Sequence, residues 1–248
     1  MHSLVIIDDS ILIDAPPTII PQLRRAGIST TQITDLLITH WHGDHTFGLP
    51  FLLLERKYIS DREGKHGLII HCHAGGDERI RQLSELAYPG SLSEVMGPAG
   101  WVSFNEDTPG VLGDAWTQTR FEVCHDPATE PHGYLLENEN GFKLVHCGDS
   151  GPCENIEKKA GESDVMIIEL GIPDFVDSPY HYSPARLADL AERNPETRFI
   201  ATHHFASGRD ALQAGAPGFP IPTLPENVIQ AEDGDIFEWD GSNLLSSN

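Results

Sequence analysis

Residues 36–45, Leu36-Leu37-Ile38-Thr39-His40-Trp41-His42-Gly43-Asp44-His45, decide the fold. Leu36-Leu37-Ile38 reads as a buried strand, and it runs into three imidazoles and a carboxylate within six residues. Period-two alternation sends His40 and His42 to one side as the strand ends, and Gly43 lets the chain turn so that Asp44 and His45 face a second point nearby. Ionisable groups beside a core strand are costly unless something pairs with them, so metal ligation is the reading this loop supports. One such loop can serve two ions.

Strands and helices alternate outward from it. Leu4–Ile7 and Ile11–Ile13 are β-branched runs separated by Asp8-Asp9-Ser10, a hairpin pattern. Ile19, Ile20, Leu23 and Ala26 recur at helical spacing, and Gly27 supplies the stop. Phe51–Tyr58 and Asp77–Ala87 read as helices, Leu68–Cys72 as strand. Strands are expected at Trp101–Phe104, Thr117–Cys124, Tyr134–Glu137, Phe142–Cys147, Val165–Leu170, Arg198–Thr202 and Ile236–Trp239, with a helix over Ser183–Asn194. Residues 205–226 are rich in Gly and Pro, a long loop of the kind that covers a site. With no repeat and no linker, the pattern implies one α/β domain over residues 1–248, with two sheets packed face to face.

Composition narrows the function. The chain has 248 residues, no apolar run long enough to span a bilayer, and no basic leader before Leu4, so a cytoplasmic location is expected. Cys72, Cys124, Cys147 and Cys153 have no paired spacing, which argues against a disulfide framework or zinc knuckle. A net charge of −22, from 38 acidic and 16 basic residues, opposes a nucleic-acid groove, and the expected partner is a small-molecule substrate with no long nucleic acid and no membrane. Thirteen histidines against five lysines turn attention to metal chemistry.

A dinuclear site needs ligands from other strand ends. His125 follows Phe121-Glu122-Val123-Cys124, Asp149 follows Leu144-Val145-His146-Cys147-Gly148, and His203 follows Phe199-Ile200-Ala201-Thr202. This order, H-x-H-x-D-H, a strand-end His, Gly-Asp-Ser and Thr-His, resembles the metallo-β-lactamase fold superfamily over nearly the whole chain. Leu12-Ile13-Asp14 resembles its first motif. Gly48-Leu49-Pro50, Gly133-Tyr134 and Ala231-Glu232-Asp233-Gly234 resemble its ribonuclease Z-like and small phosphodiesterase branch.

The resemblance implies an αββα sandwich of two mixed β-sheets flanked by helices, and two Zn2+ ions, with Mn2+ or Fe2+ as alternatives. One ion would be held by His40, His42 and His125, the other by Asp44, His45 and His203, with Asp149 bridging. Asp44 and His181 are the implied catalytic residues; His181, just before a helix, matches a histidine that contacts the reacting phosphate. Arg209 is the best cation for an anionic substrate. His132 remains an alternative to His125, because the spacing to Gly133 is longer than the family's, and His204 an alternative to His203. Relatives with redox chemistry place Glu where His42 stands, so His42 argues against a diiron centre. The family usually has a further strand before Leu4; its lack would leave a sheet edge uncovered, from which a homodimer is expected.

The implied activity is hydrolysis of small nucleotide or sugar phosphodiesters, cyclic or open, with a lactonase, β-lactamase or other ester or amide hydrolase as the alternative on the same metals. Transfer RNA processing is not expected, since no basic glycine-rich arm is present and the net charge is adverse.

Overall fold

The chain opens on a hairpin in which β1 (Val5–Ile7) pairs antiparallel with β2 (Ile11–Ile13). Asp8 and Asp9, in the three-residue connection that ends at Ser10, have φ of 48° and 55°, a left-handed backbone that Asp tolerates better than most side chains. The computed structural model describes residues 3–206, 218–220 and 222–247. It divides into two compact units between Thr117 and Gln118.

The N-terminal unit continues with α1 (Ile19–Ala26), β3 (Asp35–Leu37), α2 (Gly43–Thr46), α3 (Leu49–Glu55), β4 (Leu68–His71), α4 (Gly76–Ala87) and β5 (Val102–Asn105). Its sheet has the order β1-β2-β3-β4-β5, parallel from β2 onward. Parallel strands covered by helices are apolar along their length, and Leu12, Leu36, Leu68 and Ile70 pack with Ile19, Leu23, Leu52 and Ile80 in one core. Burying this face leaves the strand ends as the places where polar side chains can gather.

β6 (Gly110–Leu112) and β7 (Trp116–Glu122) follow, β7 running across the division. The C-terminal unit adds β8 (His132–Asn138), β9 (Lys143–His146), α5 (Glu154–Ala160), β10 (Val165–Glu169), α6 (Pro184–Arg193), β11 (Arg198–Thr202), β12 (Val228–Gln230), and a hairpin of β13 (Ile236–Trp239) and β14 (Leu244–Ser247). The second sheet has the order β12-β11-β10-β9-β8-β7-β6, parallel from β9 to β12 and antiparallel between β8 and β9. Val145, Met166, Ile168 and Phe199 pack with Ile156, Leu187 and Leu190 of α5 and α6. Two mixed sheets flanked by helices make the class α/β, as the sequence implies. Among the described residues no helix is long and apolar enough to cross a membrane.

α3 passes into a π-helical turn, Arg56–Ser60, that buries Arg56 completely. Its guanidinium donates to the carbonyls of Ile33 (3.1 Å), His66 (2.6 Å) and Gly67 (3.3 Å), lies 4.6 Å from the Trp101 ring centre, and faces Asp61 at 3.9 Å. Asp61 accepts the N–H groups of Lys65 (2.9 Å) and His66 (3.0 Å). Burial alone would raise the Asp61 pKa, but the hydrogen bonds from His66 and Lys65 outweigh it and hold the carboxyl below its ordinary value of 3.8. A depressed folded-state pKa stabilises the fold above the unfolded value, and that contribution is lost as pH falls through the folded one. Asp61→Asn is therefore expected to cost about 1.5–3 kcal/mol in urea unfolding at pH 7 and progressively less below pH ~4. An equal cost at pH 7 and pH 3 would remove the ionised carboxylate from this role.

Candidate metal centre

In the N-terminal unit the ligand-rich loop hangs on Asp14, the residue after β2. Asp14 is fully buried and has φ of 66°, a left-handed backbone that turns its carboxylate toward the neighbouring strand end. Its Oδ1 accepts the Thr39 N–H (2.8 Å), and its Oδ2 accepts the Thr39 hydroxyl (2.8 Å) and lies 2.7 Å from His45 Nδ1. With the Nδ1 proton committed to Asp14, His45 keeps its Nε2 lone pair for a ligand role, the arrangement that orients metal-bound imidazoles. Thr39 Oγ1 gives its one hydrogen to Asp14 and lies 3.1 Å from His40 Nδ1, so it accepts there and His40 Nε2 carries a lone pair. His40 Nε2 and His42 Nδ1 converge at 3.0 Å, and His45 Nε2 lies 3.8 Å from Asp44 Oδ2. α2 begins immediately after His42, which puts Asp44 and His45 on its turn. Ala15 N–H donates to the His45 carbonyl and Gly48 N–H to that of Ala15. A Cβ on Gly48 would fall 1.9 Å from the Pro16 carbonyl oxygen, so only glycine permits this approach.

The C-terminal unit collects His125, Asp149, Glu169, His181 and His203. His125 lies three residues beyond β7, where Cys124 and Gly151 form a bridge, and its Nδ1 donates to the Tyr180 carbonyl (3.1 Å). His125 and Asp149 have ligand atoms within 4.8 Å of each other. Asp149 follows Gly148, whose φ of 61° ends the β9 direction, and its Oδ2 lies 3.7 Å from His203 Nε2. His203, just past β11, has φ of 48°, a conformation with a strain of order 1–3 kcal/mol that persists where surroundings enforce it. Glu169 ends β10 fully buried, accepts the Ser150 N–H (3.0 Å) on Oε1, and pairs through the same oxygen with His181 Nδ1 at 2.7 Å. Burial pushes the Glu169 carboxyl up to about 7, opposed by the His181 hydrogen bond and assisted by the charge of Asp149.

The open assignments now separate by geometry. His132 opens β8 with Nε2 3.1 Å from the Tyr134 hydroxyl and Nδ1 3.2 Å from the Glu130 carbonyl, whereas His125 stands with Asp149 and 5.0 Å, ring to ring, from His181. His204 lies against the carbonyls of Ala206 (3.1 Å) and Ala231 (3.0 Å), and it is His203 that faces Asp149. Cys147 is buried in the core, and desolvation pushes its thiol well up. Arg209 lies outside the described residues. The sequence signals Glu169 only as the one carboxylate ending an otherwise apolar run, Val165-Met166-Ile167-Ile168-Glu169, which does not by itself mark a site. Asp14 was visible as a motif position but its partners were not.

A family model described as a β-lactamase superfamily domain matches residues 9–204. Ribonuclease Z of Pyrobaculum arsenaticum is 26% identical over 259 residues, spanning 92% of this chain and 87% of its own. The crystal structure of human tRNase Z, short form, matches with a TM-score of 0.61 and 21% identity over 81% of this chain and 84% of that one. A diphosphatase from the PhnP family matches at 0.65 and 16% over 98% and 82%. These relatives overturn the expectation that partners exclude long nucleic acid, since enzymes named for RNA are among them. The charge of −22 sums the whole surface, while phosphate binding is decided by the field of one face, so the sum was no ground for exclusion.

Imidazoles held through their second nitrogen, together with carboxylates, are a donor set suited to zinc. Asp14→Asn is expected to weaken zinc binding by roughly 10- to 100-fold, measured by competition with a chromophoric chelator. Unchanged affinity in a folded variant would limit Asp14 to packing.

Proposed function

Since the chain belongs to the β-lactamase superfamily, as a metal-dependent hydrolase of its ribonuclease Z-like branch, we propose that it cleaves phosphodiesters at a dinuclear zinc centre formed within one domain over residues 1–248. In this reading His40, His42 and His125 would hold one ion and Asp44, His45 and His203 the other, with Asp149 shared between them. Two such ions, when bound, supply Lewis-acid activation of water and of a phosphoryl oxygen. Mn2+ or Fe2+ would suit the same ligand types.

The observation that carries the phosphodiester reading is the Glu169–His181 pair. Glu169 Oε1 fixes the Nδ1 proton, which leaves Nε2 of His181, part-exposed, to give a proton to the leaving oxygen. An alkoxide leaving from phosphorus needs that proton, and a buried carboxylate behind the ring stabilises the imidazolium that provides it. Asp44, besides its ligand role, offers a carboxylate oxygen that can accept the proton of the attacking water. Small nucleotide or sugar phosphates, cyclic or open, are the substrates of this proposal. RNA is the second reading, favoured by the likeness to ribonuclease Z.

Metal analysis of the zinc-loaded chain is expected to give about two ions, since seven ligands exceed what one tetrahedral ion uses; one ion or none sinks the dinuclear reading. Asp149→Ala should lose metal and activity together. His181→Ala should keep its metal yet lose roughly 10²–10⁴ in kcat on phosphodiesters with poor leaving groups, and less on nitrophenyl esters. A panel of bis-p-nitrophenyl phosphate, a cyclic nucleotide, a precursor transfer RNA, a lactone and a β-lactam tests the class. Turnover of the lactone or β-lactam alone would reject the phosphodiesterase.

A further inference from the structure

The segment between β10 and α6 is tied down along its length. Ile172 N–H donates to the Tyr182 carbonyl (3.4 Å), Ala185 N–H to Asp174 Oδ1 (2.9 Å), and Arg186 to the carbonyls of Ser178 and His181. Gly151 admits the Pro179 carbonyl so closely that a Cβ would meet its oxygen at 1.8 Å. One end of this segment delivers His181 to Glu169. Its middle presents Phe175 with 76% of its surface exposed.

Phe175 belongs to a row of rings. The Phe219 ring centre lies 6.0 Å from that of Phe175 and 5.8 Å from that of Phe205. Phe205 follows His203 by two residues, and its N–H donates to the carbonyl of Leu170, the residue after Glu169 (3.1 Å). The row thus starts beside the ligand-bearing ends of β10 and β11 and runs outward to Phe219, 46% exposed, and Phe175. Phenylalanines left this open add little to the fold. Aromatic faces bordering a phosphate-handling site are what nucleobases stack on, and stacking tolerates any base.

We infer that Phe175 and Phe219, backed by Phe205, form a stacking platform for the nucleobase of a phosphodiester substrate, which makes nucleotides rather than sugar phosphates its substrate class. This rests on the phosphodiesterase reading above. The base belongs either to a small nucleotide or to an end of RNA, which present the same ring.

The test compares zinc-loaded wild type with Phe175→Ala/Phe219→Ala, whose fold is checked by circular dichroism. Substrates are adenosine 2′,3′-cyclic phosphate, the same cyclic ribose phosphate without a base, and a short RNA. The variant is expected to raise KM for base-bearing substrates roughly 5- to 150-fold, with kcat nearly unchanged and the base-free substrate unaffected. A loss confined to RNA, or to the mononucleotide, supports the platform and names its source. Equal effects with and without the base, or no effect, overturn it. Failure of the phosphodiesterase reading shows separately, as no turnover of these substrates or of bis-p-nitrophenyl phosphate. Calorimetric binding of adenosine monophosphate against ribose 5-phosphate then decides. A wild-type preference for the base that the variant loses supports the platform, and equal affinities overturn it.

Discussion

The Asp14 carboxylate holds the N-terminal ligand loop in place. It is buried at the end of β2, and its oxygens are used by the Thr39 N–H, the Thr39 hydroxyl and His45 Nδ1. A buried carboxylate is tolerated only when it is hydrogen-bonded this fully. What the three contacts give in return is a single tautomer for His45 and, through Thr39, a held orientation for His40. Strand β2 lies parallel to β3, so the residue after one strand meets the residues after the other without any long connection.

The C-terminal unit solves the same problem with a different part. Glu169 ends β10 as Asp14 ends β2, and it too is buried with an imidazole on one oxygen. The consequence differs because His181 is part-exposed where His45 is wholly buried. An imidazole sealed in place suits a ligand, whereas one with an open edge can pass a proton. At Asp14 and at His203 a left-handed backbone, unfavourable for most side chains, is held by the surrounding structure.

Net charge governs the far field, while a phosphodiester at a metal site meets a handful of ligand atoms and whatever borders them. A strongly acidic chain can therefore belong among relatives named for RNA without contradiction.

The α/β class, most strand and helix positions, and the strand ends that carry His and Asp were legible in the sequence, because apolar periodicity and a dense His/Asp cluster are local signals. The sequence did not mark α5, whose only buried side chains are Ile156 and Ala160, or the three-residue β6 and β12, which are too short for any period to show. Tertiary structure alone decided which of His125 and His132 joins Asp149, which of His203 and His204 does so, and that Glu169 stands behind His181. Those choices depend on pairings between residues far apart in the chain: Tyr134 occupies His132, the Ala206 and Ala231 carbonyls occupy His204, and parallel β9 and β10 bring Ser150 to Glu169. Spacing along one chain carries no record of such partners, since they meet only when the strands are in register.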